Sequence, residues 1–145
     1  MRRTVSPAIV PLLLGLQCAT VGNVAVPLTE LGPNERCAIE SAEAFIEKNG
    51  YTRRNLTAEE WKAVAKEGID TDNVSEMSRL RHDTLKPRAY GLIARPSGGW
   101  VVVFERTRPR KPAFGRGVKI EADCRAVQVI HSDYKLSEAK QITRP

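Results

Sequence analysis

Residues 89–106 read AYGLIARPSGGWVVVFER. Ala89 to Ala94 is a short apolar run, Arg95-Pro96-Ser97-Gly98-Gly99 is a turn cluster, and Trp100 to Arg106 is rich in β-branched and aromatic residues. Such side chains suit a pleated, half-buried surface, while Pro and Gly supply the backbone angles a tight connection needs. The stretch therefore predicts a β-hairpin. A second pair follows, Gly117 to Ala122 and Ala126 to Ser132, around a turn at Asp123-Cys124-Arg125. Val118, Ile120 and Ala122 alternate with Lys119 and Glu121, and Val127, Val129 and His131 alternate with Gln128 and Ile130. A period of two places alternate residues on one face, so the second half predicts a four-stranded antiparallel meander with one buried side.

Upstream, the pattern is helical. Asn34 is a candidate cap, and the run that follows ends at Asn49-Gly50, a helix-stop dipeptide. Ala38, Ala42, Phe45 and Ile46 fall on one face, and Cys37 lies in the first turn. Thr57-Ala58-Glu59-Glu60 is a capping box before Trp61, Val64 and Ala65, with Gly68 as the stop. Asn73 and Glu76 predict one more short helix containing Met77 and Leu80. The expected fold is α+β: an N-terminal helix packed on a four-stranded antiparallel sheet, with one or two short helices between.

The chain has 145 residues, which allows one domain and leaves no room for a second core. Its composition is ordinary for a globular protein and excludes collagen-like, disulfide-dense and wholly disordered classes. The expected organisation is a signal peptide over 1–22, an exposed leader over 23–33, one domain over 34–134 and a fraying polar tail over 135–145. Lys and Arg number 23 against 17 Asp and Glu, for a net charge of +6. That figure conceals a split: residues 30–76 carry −5, and residues 77–145 carry +9.

Met1-Arg2-Arg3 followed by the apolar run Ala8 to Leu16 predicts a signal peptide, because the run is far shorter than the ~20 residues of a membrane-spanning helix. Cleavage is expected between Ala19 and Val26. Leu13-Leu14-Gly15-Leu16-Gln17-Cys18 also resembles a bacterial lipoprotein signal, in which the Cys is lipidated; Gln17 departs from the small residue that family carries there. Cys18 is thus a candidate lipid anchor. The expected location is periplasmic or envelope-associated. Cys37 and Cys124 remain, and in an oxidising compartment an isolated pair is most simply a disulfide.

A helix followed by an antiparallel sheet in a small exported chain resembles the cystatin-like and nuclear-transport-factor-2-like group of folds. Trp100-Val101-Val102, Gly117-Val118-Lys119-Ile120-Glu121 and Val127 to Ser132 are similar to strands of bacterial immunity-type proteins of that group. The resemblance implies a non-enzymatic role, neutralising a toxin or inhibiting a partner protein.

Arg106, Arg108, Arg110, Lys111 and Arg116 cluster around Pro109 and Pro112 between the two hairpins. A basic loop stiffened by proline suits an anionic partner, such as a lipid head group, an envelope polymer or an acidic protein. Nucleic acid is disfavoured by export and by the lack of interleaved aromatic residues. His82 and His131, the two histidines, have no ligand partner at metal spacing, and no nucleophile or phosphate-loop motif is present. No cofactor and no metal are implied. The reading is an exported binding protein, immunity- or inhibitor-like, engaging a protein or an anionic envelope component. Two alternatives stand beside it: a small hydrolase or isomerase with a pocket in a cone-shaped sheet, and an envelope-associated structural protein or lipoprotein.

Overall fold

A computed structural model describes residues 24–53, 84–109 and 111–145. The expected signal segment, Cys18, the two short helices between 57 and 80, His82 and Arg110 lie outside the described residues.

Helix α1 spans Pro33–Lys48. Pro33 occupies its first position, where the missing N–H would have had no helical partner and the fixed φ already matches the helix. Gly32 therefore takes the cap position, and Asn34, the expected cap, lies one residue inside. The C-terminal end stops where the sequence places it. Gly50 adopts φ 75°, the left-handed conformation a side chain resists. This lets the Tyr51 amide donate to the Ile46 carbonyl at 2.9 Å and the Gly50 amide to that of Glu47 at 3.2 Å. Tyr51 then stacks on Phe45, with ring centroids 6.5 Å apart. The buried face is Ala38, Ile39, Ala42 and Ile46, with Phe45 half-buried at its margin.

The sheet has strands β1 (Val26–Pro27), β2 (Gly91–Ala94), β3 (Trp100–Phe104), β4 (Phe114–Ile120), β5 (Ala126–Lys135) and β6 (Lys140–Thr143). Their order is β1-β6-β2-β3-β4-β5. The meander β2 to β5 is antiparallel throughout, as the hairpin reading requires. Leu92 faces Val102, Val102 faces Val118, and Val118 faces Val129, so one row of apolar side chains crosses four strands beneath α1. Burying each such side chain contributes about 1.5 to 3 kcal/mol, which makes this row the main anchor of the helix.

Six strands replace the expected four, and the two extra ones come from the two segments read as peripheral. β6 pairs antiparallel with β2, and β1 pairs parallel with β6. The supposed leader is thus tied into the sheet, with Leu31 buried and Leu28 against the core, and the supposed fraying tail supplies the strand that holds it. A strand and a 3-10 turn over Leu28–Glu30 therefore precede the helix, which is not the first element. Alternation did not reveal these strands because they span 2 and 4 residues and bury little beyond Ile142.

From β5 the chain turns through Leu136–Glu138 and crosses the far face of the sheet to reach β6. Leu136 and Ala139 pack there with Val101, Val103 and Tyr134. Gly117 makes room for this layer: a Cβ on it would meet Val101 Cγ1 at 2.5 Å and the Tyr134 ring at 2.7 Å. Both faces of the sheet centre are therefore covered.

Cys37 and Cys124 form a disulfide across 87 residues, with Cα atoms 5.9 Å apart. It fastens the N-terminal half of α1 to the β4–β5 turn. Cys124 holds φ 70°, so the bridge is anchored on a residue in a conformation non-glycine side chains disfavour.

Candidate functional site

Of the five cations read as one basic loop, Arg110 lies outside the described residues and the other four separate into two groups. Arg106 and Arg116 are buried, at 4% and 2% exposure, and both turn to one carboxylate. Arg106 Nη2 lies 2.6 Å from Asp133 Oδ1, and Arg116 Nη2 lies 3.4 Å from the same oxygen. Arg116 Nη1 also donates to the Ile130 carbonyl at 3.3 Å. A guanidinium taken out of water is tolerable only with such compensation. These two arginines tie β4 and the segment that follows β3 to β5, and the expectation that they meet an anionic partner is corrected. The sequence signal for the difference was period: Arg106 and Arg116 continue the buried rows of Phe104 and Val118, whereas Arg108 and Lys111 follow the strand's end.

Arg108 and Lys111 are exposed. The Lys111 ammonium lies 5.6 Å from the centroid of the half-buried Phe114 ring, in the position where a ring face attracts a cation. Phe114 in turn pairs with exposed Lys135 across the β4–β5 ladder.

Topology enlarges this group. β2 starts, β3 ends, β4 starts, and β5 and β6 end at the same edge of the sheet, as the pairings of Gly91 with Val103, Phe104 with Arg116 and Phe114 with Lys135 require. Lys86 and Arg88, which lead into β2, and Arg144, which follows β6, therefore lie at that end too. Sequence reading missed them because they lie far along the chain from the Arg106–Lys111 loop; the grouping of Arg144 with Lys86 and Arg88 depends on the pairing of β6 with β2.

Here the cations meet carboxylates. Lys86 pairs with Glu105 at 3.1 Å, with side chains 51% and 38% exposed. Glu43 of α1, only 11% exposed, accepts from the Ala89 amide at 3.0 Å and from Arg88 Nη1 at 3.1 Å, and it also pairs with Arg144. Pairs as exposed as Lys86 and Glu105 are worth about 0 to 1 kcal/mol, so a competing anion displaces them readily. Between these groups lies an open recess of about 540 Å³, whose lining includes Lys86, Pro87, Arg88, Tyr90, Glu105 and Arg144.

His131 is a residue of β5. Among the described residues no three of His, Cys, Asp and Glu converge to hold a metal, and no helix is long and apolar enough to cross a membrane. Comparison of the sequence with protein-family models and with curated proteins, and of the fold with solved structures, finds no match. The likeness to the cystatin-like group accordingly rests on the strand residues quoted above.

Proposed function

We propose that the protein is an exported binding protein that engages an anionic partner through the basic end of its sheet. The observation that carries this reading is the convergence of exposed Lys86, Arg88, Arg108, Lys111 and Lys135 from separate chain segments onto one edge. Charges gathered this way raise the local concentration of an anionic partner and steer its approach. Export is supported by the N-terminal run and by the Cys37–Cys124 bridge, a bond that persists in oxidising compartments. Binding is favoured over catalysis by the helix-side face of the sheet, where a pocket of a cone-shaped sheet would open. Leu92, Val102, Val118, Ile120 and Val129 fill it against α1. An immunity- or inhibitor-like role is one form of this activity.

The test compares the protein with a triple variant, Arg108→Ala, Lys111→Ala and Lys135→Ala. Both are titrated with phosphatidylglycerol vesicles and with an acidic pentapeptide across a salt series. The protein should bind at least one probe, and the variant should lose about tenfold in affinity with a flatter salt dependence. A protein that binds neither probe at low salt overturns the reading.

A further inference from the structure

The recess at the basic end combines two features that a purely electrostatic surface does not need. Lys86, Arg88 and Arg144 line it together with exposed Pro87, half-buried Tyr90 and the more deeply buried Ala89 and Ile142. Arg88 is 69% exposed and gives only Nη1 to Glu43, while Lys86 is 51% exposed and gives one contact to Glu105. An arginine carries five N–H donors and a lysine three, so both keep donors for a ligand while holding their internal partners. Pro87 and Tyr90 give the recess apolar surface that a phosphate or a sugar does not use. Its size falls within the range of concave sites that take one small group.

We infer that this recess anchors an acidic segment of a partner protein, taking an apolar side chain against Pro87 and Tyr90 while the neighbouring carboxylates meet Arg88 and Lys86. The inference rests on the proposal that the basic end binds an anionic partner, and it narrows that partner to a protein. Charge complementarity sets which chain docks: Lys86, Arg88 and Arg144 stand against two carboxylates, Glu105 and Glu43, and exposed Arg108, Lys111 and Lys135 add to the positive excess at this end. An anionic membrane satisfies the cations but presents head groups, not an apolar side chain flanked by carboxylates.

The probes are two peptides, acetyl-Glu-Asp-Leu-Asp-Glu-amide and the same peptide with Gly for Leu, together with phosphatidylglycerol vesicles. Each is titrated into the intact, disulfide-bonded chain while backbone amide shifts are followed. The Leu peptide should bind at least about tenfold tighter than the Gly peptide, the effect of burying one such side chain. Its shifts should centre on Ala89, Tyr90 and Ile142. A Lys86→Ala, Arg88→Ala double variant should weaken both peptides and leave the ratio between them. Equal binding of the two peptides, with shifts confined to Arg108, Lys111 and Lys135, overturns the recess and leaves the anionic reading standing. Vesicle binding without peptide binding overturns it in favour of a membrane partner. Binding of no probe removes the underlying reading as well.

Discussion

Arg106 reaches across β4 to place its guanidinium 2.6 Å from the carboxylate of Asp133 on the edge strand. Arg116, on the strand between them, shares the same oxygen. Two desolvated cations on one carboxylate make Asp133 the keystone of this corner, although it carries no apolar surface. Asp133→Ala should destabilise the protein by about 2 kcal/mol, because two buried guanidinium groups lose a shared acceptor that is itself 34% exposed. Urea unfolding checks it. Lys111→Ala, at the exposed tip of the same loop, should stay within about 0.5 kcal/mol of the parent.

The disulfide contributes in the same assay. Closing a loop of 87 residues removes chain entropy worth on the order of 4 kcal/mol, so replacing both cysteines by serine should cost up to that amount. The left-handed backbone at residue 124 gives a finer test. With Cys37→Ser as the background, Cys124→Gly should be more stable than Cys124→Ser by about 1 kcal/mol, since glycine meets no steric penalty at φ 70°. Equal stability of the two would show that the turn relaxes once the bridge is gone.

Glu43 is a second keystone, six residues along α1 from the bridging Cys37. It satisfies the Ala89 amide, a half-buried donor, as well as Arg88 and Arg144. Glu43→Ala should cost about 2 kcal/mol through the stranded amide, while Arg88→Ala, which removes an exposed partner, should cost under about 1 kcal/mol. Hydrogen exchange at the Ala89 amide should accelerate in the first variant and not in the second.

These keystones also show what the sequence made legible. The meander and α1 were readable because their apolar residues repeat with periods of two and of about 3.6, and because Gly50 and Gly98-Gly99 punctuate them. The bridge was readable by elimination once Cys18 was set aside. The pairing of β1 with β6 was not, since two short strands far apart in the chain satisfy each other through backbone hydrogen bonds that leave no side-chain pattern. The candidate site inherits that gap. Arg108 and Lys111 were visible as a basic loop, but Lys86, Arg88 and Arg144 join them only because β6 lies beside β2. Conversely, Arg106 and Arg116 looked like loop cations until the register put them on the buried face.

That dependence can be tested directly. β6 is the sole strand partner of β1 among the described residues, and it sits between β1 and β2. Removing residues 140–145 should therefore release β1 as well as expose the edge of β2, with amide protection lost at Val26 and Leu28 while Val102 and Val118 in the sheet centre remain protected. Ile142→Ala should produce a milder form, costing about 2 kcal/mol for the lost buried methylenes and raising exchange at Val26 in proportion. The truncation should also weaken the Leu-containing peptide, because Ile142 and Arg144 leave the recess with it. If Val26 stays protected after the truncation, β1 is held by the packing of Leu28 and Leu31 on the core rather than by its pairing with β6.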